Sequence, residues 1–196
     1  MDKIEEVAKN LIKKLEDPDS LPAPFPLQWL GKRSAIPFLH TLPLRSILTP
    51  WNITLSAQAT YGGLPEPQYR GLTYFYPDNS IEIEMYARSV NTWIHELMHV
   101  AATKNGRDPG AKSIDSYGID HLWIRDETIA EFGAAIALTC LNMEEHVDIG
   151  RCFHYVRCHL AHLPYPRTVA TKCKSNLPLV CSDVETLLRT AGVETC

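Results

Sequence analysis

Two histidines four residues apart, with a glutamate directly after the first, form the string His95-Glu96-Leu97-Met98-His99. On an α-helix, side chains four residues apart lie one above the other, so both imidazoles would face the same way and could bind one zinc ion. Glu96 is turned by about 100° around the helix from His95. From there its carboxylate is not a third ligand, but it can reach a water molecule beside the metal. That is the position of a general base.

The residues around this motif favour a helix that packs on a core. Apolar residues recur at helical spacing, which predicts a buried stripe. Ser89 or Asn91 can cap the N-terminus, and Asn105-Gly106 is typical of a C-terminal end. The alternative is a solvated helix face on which the two histidines occur by chance. We predict an amphipathic helix that carries the histidine pair.

An acidic pair further along the chain supplies a candidate third ligand, because catalytic zinc usually has three protein ligands. Glu127 and Glu131 are four residues apart in an apolar segment that predicts a helix over about 122–145. Two carboxylates on one face of an apolar helix are costly unless they are paired or bind a metal. Glu127 could complete the site, and Glu131 could accept the second ring N–H of a ligand histidine. The alternative is an ordinary ion pair with Arg125 or Lys104.

This combination resembles the gluzincin group of zinc metallopeptidases. In that group a glutamate on a following helix is the third ligand, and an acidic residue one turn later supports a ligand histidine. The string from Trp123 to Phe132 is similar to the "glutamate helix" of the group. The short chain, with a small sheet just before the active helix, is most similar to the compact minigluzincins. The resemblance covers about residues 72–140.

The chain departs from the group at two points. Asp126-Glu127-Thr128 stands where the usual string is Asn-Glu-Gly, and the interval between the HExxH motif and Glu127 is longer than in many members. An aspzincin-like site, with Asp115 or Asp120 as third ligand, is the alternative. A metzincin is excluded, since Ala102 and Asn105 stand where that group has glycine and histidine.

The resemblance implies an α+β, zincin-like fold and one catalytic Zn²⁺. The fold would have a small twisted, mostly antiparallel sheet, an active-site helix, a glutamate helix, and extra N- and C-terminal helices. It also implies hydrolysis of peptide bonds in a peptide or protein substrate by a metal-activated water, with Glu96 as general base. Gluzincins stabilise the oxyanion with a tyrosine or histidine. The candidates are Tyr117 and His121, with Tyr155 and His154 as alternatives.

The same resemblance makes the strand at 81–86 the upper rim of the cleft, where a substrate adds as an antiparallel strand. Glu82 and Glu84 would then make the cleft acidic and favour basic peptides. The alternative is a charged guard on an edge strand.

The length of 196 residues indicates a single domain. We expect residues 1–50 to form an N-terminal helix (2–16) and an ordered proline-rich wrap. Residues 51–145 would form the catalytic core, and residues 146–196 would form a Cys/His-rich extension. Short helices are expected near 26–32 and 43–48, and strands at 51–59, 72–76 and 81–86.

All six cysteines lie in the last third of the chain. Free thiols, disulfides and a second, structural zinc site within 152–162 are the alternatives, and Cys173 could bridge Cys181. Ser182-x-x-Glu185 predicts a capping box that starts a short helix over 182–191. Such a tail could cover the cleft and keep an enzyme latent.

The formal charge of −4 and the absence of basic clusters exclude a nucleic-acid footprint and a polybasic membrane patch. No apolar run is long enough to span a bilayer, and no signal sequence is visible in the chain as given. These features favour a cytoplasmic location and leave the compartment otherwise unknown. Two other functions stay open. One is a latent or non-catalytic zinc-binding regulatory protein, and the other is a zinc hydrolase that acts on a non-peptide amide.

Overall fold

A computed structural model describes residues 3–31, 35–57, 70–116, 118–163 and 168–194. Helices and strands in these ranges give a mixed α+β architecture, as the sequence predicts. They are α1 (Lys3–Leu15), α2 (Ala35–Thr41), β1 (Ile53–Ala57), β2 (Gly71–Phe75), β3 (Ile81–Met85), α3 (Val90–Lys104), α4 (His121–Cys140), α5 (Ile149–Leu160), α6 (Val169–Ser175) and α7 (Leu177–Thr190). Buried apolar side chains from α1 through α7 belong to one core.

The sheet has the strand order β1-β3-β2, with β1 parallel and β2 antiparallel to β3. It is therefore mixed rather than mostly antiparallel. The prediction that the strand at 81–86 forms the rim is wrong, because β3 is paired on both sides and β2 lies at the edge. Glu82 and Glu84 do not line the cleft: Tyr76 donates to Glu82 at 2.9 Å, and Tyr86 donates to Glu84. Alternation along a strand identifies its faces but not its neighbours.

Helices α3 and α4 pack closely in the centre of the molecule. A Cβ at Gly133 would lie 2.4 Å from Cε of Met98, so any larger residue there would displace the Met98 side chain. The α3 N-cap is Ser89, whose hydroxyl accepts from the Thr92 amide at 3.1 Å. At the other end of α3, Gly106 has a φ of 85°, as the predicted helix end requires.

Helix α4 ends at Cys140, five residues before the predicted end. Asn142 adopts a left-handed φ of 56°, which a continuing helix does not allow. At its start Asp120 is the N-cap and accepts from the amides of Leu122 and Trp123 at 3.1 and 3.2 Å.

The proline-rich wrap is ordered in its described part, but its helices differ from those predicted. Residues 26–31 are extended, because the prolines before them disfavour helix and Leu30 donates to the Tyr86 carbonyl at 2.8 Å. The α-helix lies later, at α2, and the stretch near 43–48 contains a 3₁₀ turn at Arg45–Ile47. α1 is amphipathic as predicted, and Ile4, Ala8 and Leu11 are buried.

The C-terminal helices differ from prediction in two respects. α7 begins at Leu177 with Pro178 in its first turn, so Ser182 lies inside a helix and no capping box forms there. Helices α6 and α7 pack on α1, α3 and α4 and contribute no residue to the cleft, so this described part of the tail does not cover it. Among the described residues, no helix has both the length and the apolar character that crossing a bilayer requires.

The predicted bridge between Cys173 and Cys181 is absent, because Cys173 carries a free thiol. Cys152 and Cys158 are also free. They lie on different faces of α5, Cys152 buried and Cys158 exposed. Cys196 lies outside the described residues.

Candidate metal centre

The two histidines of the HExxH motif face one another on α3, as predicted. Their Nε2 atoms are 3.1 Å apart, and the ring planes meet edge to face with centroids 4.9 Å apart. His95 is buried in the packed centre, whereas His99 is half-buried at the cleft wall. Two ring nitrogens this close need either a shared proton or a common cation between them.

Glu127 projects from α4 toward the same point. Its two carboxylate oxygens lie 3.5 Å from Nε2 of His95 and 3.6 Å from Nε2 of His99. Zinc bonds of about 2.0 Å at tetrahedral angles place donor atoms about 3.3 Å apart, close to these separations. Two imidazoles and one carboxylate also match the donor chemistry of zinc. His95, His99 and Glu127 can therefore hold a metal ion.

Glu131 lies behind His95, one helical turn after Glu127. Its Oε2 atom is 2.9 Å from Nδ1 of His95, and its side chain is completely buried. Arg151 of α5 approaches the same oxygen to 3.6 Å and donates to the Thr92 hydroxyl at 2.9 Å. The Glu131 carboxylate thus lies beside the second ring nitrogen of His95, where the sequence predicts it, but the two atoms are not oriented for a hydrogen bond.

The charges of this cluster suit a cation. Burial alone would lower the pKa of His95, but the carboxylates of Glu127 and Glu131 outweigh burial and raise it to about 10. Burial opposes ionisation of Glu131, but Arg151 and His95 overcome it and lower its pKa to about 2. In the same way His99 and His95 overcome burial to hold the pKa of Glu127 well below its usual range. Both carboxylates are negative, and a metal ion would displace the His95 proton.

Glu96 occupies the cleft side of α3, turned away from the three ligand atoms. The Thr73 hydroxyl on β2 donates to its Oε2 at 2.8 Å. Gly71, also on β2, leaves room for this carboxylate: a Cβ there would lie 2.7 Å from Oε1 and 2.9 Å from Cγ of Glu96. The edge strand thus fixes Glu96, and only glycine at position 71 allows its present position.

Substituting Gly71 with alanine is expected to displace Glu96 and to lower kcat by up to about 100-fold in the peptide cleavage that the resemblance implies. Zinc binding should stay unchanged, because Gly71 contacts none of the three ligands. Steady-state kinetics and zinc content measure the two effects. Gly110→Ala is the matched control, since its nearest neighbour would be 3.4 Å away. Full activity in Gly71→Ala would show that the Glu96 position is unimportant.

Three of the cleft residues on helix α5 form a group that the sequence analysis does not predict. Arg151, Tyr155 and His159 are spaced four apart and line the cleft together. The Tyr155 hydroxyl donates to Oε2 of Glu127 at 2.7 Å. The Tyr155 ring packs edge to face against the rings of His95 and His159, with centroid distances of 5.9 and 4.5 Å. The i, i+4, i+8 spacing of polar residues was the available signal.

The other predicted residues lie elsewhere. Tyr117 is outside the described residues. The His121 side chain is 44% exposed, and its Nε2 is 2.7 Å from Oδ2 of Asp115 rather than in the cleft. Asp120 is the α4 N-cap, which leaves Glu127 as the carboxylate at the centre. His154 lines the cleft at an exposed position.

A second metal site in the Cys/His-rich stretch gains no support from the structure. In the described ranges, His95, His99 and Glu127 are the one group of three or more potential ligands close enough to share an ion. Residues 152–160 belong to a continuous helix, which spreads their cysteines and histidines around its circumference.

A cleft of about 750 Å³ opens over the candidate centre. Gly71, Leu72, Thr73 and Phe75 of β2 line one side, and α5 lines another. Comparison of the chain with protein-family models, with curated proteins and with solved structures finds no match. Function is therefore inferred from the residues of the site.

Proposed function

We propose that this chain is a zinc metallopeptidase of the gluzincin type. The observation that supports the proposal most is the convergence of His95, His99 and Glu127, with Glu131 in contact with the second nitrogen of His95. Zinc bound by these three residues would act as a Lewis acid and lower the pKa of a water molecule. A purely structural site has no use for Glu96, an ionisable group on the cleft side of the motif.

Glu96 is proposed as the general base. Its carboxylate borders the cleft, where it would accept a proton from the attacking water and donate that proton to the leaving amine. Thr73 holds one oxygen by a hydrogen bond, so the carboxylate is already oriented before substrate arrives. The edge strand that carries Thr73 also provides backbone groups beside which an extended peptide can pair.

Tyr155 is proposed as the donor to the oxyanion. Its hydroxyl donates to Glu127, which is one of the proposed zinc ligands. The hydroxyl therefore lies beside the proposed zinc site, where the carbonyl of a substrate would bind. Burial and the negative charge of Glu127 raise the pKa of Tyr155 above its usual value, so the group stays a donor. This role replaces the expectation that Tyr117 or His121 stabilises the oxyanion.

Changing Tyr155 to phenylalanine is expected to lower kcat by about 100-fold with little change in KM, because the lost hydrogen bond forms in the transition state. Kinetics at saturating zinc measure this, so that any weaker zinc binding does not contribute. Tyr74→Phe serves as control, since Tyr74 lies on β2 but bonds to Glu84 outside the cleft. Equal losses in both variants would rule out the assigned role.

Cleavage of a peptide library, read by mass spectrometry, tests the proposed function. Wild-type protein stripped by a chelator should leave the library intact, and zinc should restore cleavage. A zinc-loaded protein that cleaves no peptide would overturn the proposal. It would favour the zinc-binding regulatory protein or the hydrolase of non-peptide amides.

A further inference from the structure

An arginine beside the candidate centre has no carboxylate partner among the described residues. Arg70 directly precedes β2, is half-buried and lines the cleft. Within the described part of the chain, no hydrogen bond or ion pair joins its guanidinium to another side chain, and Glu131 and Asp148 act on it only at longer range. A charge partly removed from water gains free energy from a partner, and here a ligand in the cleft can supply one.

Arg151 makes the position of Arg70 less favourable. Burial and the like charge of Arg151 together lower the pKa of Arg70. Arg151 is itself held by Thr92 and Glu131, so moving it away would take a cationic partner from the buried Glu131 carboxylate. A carboxylate entering the cleft would relieve this repulsion and could accept two parallel hydrogen bonds from one guanidinium.

The backbone of Arg70 is fixed relative to Glu96. The amides of Tyr86 and Ala87 both donate to the Arg70 carbonyl at 2.9 Å. The next residue, Gly71, packs against the Glu96 carboxylate, and consecutive Cα atoms lie about 3.8 Å apart. An extended peptide advances about 3.3 Å per residue, so a group bound by Arg70 lies within a few residues of the bond beside Glu96.

We infer that Arg70 determines substrate specificity by binding a peptide carboxylate, either an acidic side chain or the C-terminal group, close to the cleaved bond. This inference rests on the proposed function and names its substrate class. It reverses the expectation of basic peptides, because Glu82 and Glu84 bond to tyrosines on the sheet instead of lining the cleft.

Peptide binding to zinc-loaded Glu96→Gln protein tests this inference without requiring turnover. The probes are fluorescent decapeptide pools with a central glutamate, glutamine or lysine, each with a free or an amidated C-terminus. A charged hydrogen bond contributes about 1.5–3 kcal/mol, so the pool that carries the preferred carboxylate should bind about 10- to 100-fold more tightly. The glutamate pools identify a side-chain carboxylate, and the free C-terminus identifies a terminal one.

In the Glu96→Gln background, a further Arg70→Gln change should remove the preference for a carboxylate, and Arg70→Lys should keep part of it. Arg70→Glu should instead favour peptides with a central lysine. Arg88→Gln is the matched control, because Arg88 is exposed and lies outside the cleft. Equal binding of all pools, or a preference that persists in Arg70→Gln, would overturn the inference. An Arg70-dependent preference for pools that wild type never cleaves would support carboxylate binding by Arg70, but it would overturn the peptidase proposal and with it the role in cleavage specificity.

Discussion

Replacing Glu96 with glutamine is expected to lower kcat for peptide cleavage by about 10³- to 10⁴-fold, the upper part of the range for general acid–base catalysis. The amide keeps the shape of the carboxylate and its contact with Thr73, but it cannot take a proton from water. Zinc affinity should not change, because Glu96 contacts none of the three ligand atoms. Cleavage of a fluorogenic peptide, with zinc content measured on the same sample, separates the two properties.

Glu82→Gln is a suitable control for this change. It removes a carboxylate of the same type from β3, outside the cleft, and should leave kcat within about twofold because surface changes rarely act at a distance. A Glu96→Gln protein with normal zinc content and near-normal kcat would exclude Glu96 as the general base. Equal losses in both variants would point to a general effect on the fold.

Removing Glu127 by substitution with alanine is expected to weaken zinc binding by about 100-fold or more. Protein zinc sites bind with roughly 10–16 kcal/mol, so one of three protein ligands accounts for several kcal/mol. The change also leaves Tyr155 without its acceptor. Competition with a chromogenic chelator measures the affinity.

Asp126→Asn provides the control for Glu127→Ala. Asp126 is the preceding carboxylate and pairs with Arg125 at 3.0 Å, away from the histidines. Its loss should leave zinc affinity unchanged. Wild-type affinity in Glu127→Ala would show that the third ligand lies elsewhere.

The helical parts of the site were predictable because their spacing is local. His95 and His99 share a face through the four-residue interval, and the same interval joins Glu127 to Glu131. Apolar periodicity and cap residues located α3, and a run of apolar residues located α4. The contact between these helices came from the resemblance, and the structure bears it out through the glycine at position 133.

The remaining parts depend on contacts between distant segments, which no local pattern specifies. The alternation of apolar and charged residues in β3 is compatible with an edge strand. Its position between β1 and β2 is instead set by pairing with segments distant in the sequence. Tyr155 reaches Glu127 only because α5 packs on α4, and residues 146–196 were interpreted as an extension rather than as a cleft wall. Close approach at Gly71 is likewise visible only after the strand and α3 are assembled.

Anomalous diffraction at the zinc edge from crystals of zinc-loaded protein tests the metal centre most directly. We expect one strong peak bonded to Nε2 of His95, Nε2 of His99 and the Glu127 carboxylate, at about 2.0–2.2 Å from each donor atom. The ring of His95 should keep its contact with Glu131. No peak, or a peak bonded to other residues such as the cysteines and histidines of α5, would contradict this expectation.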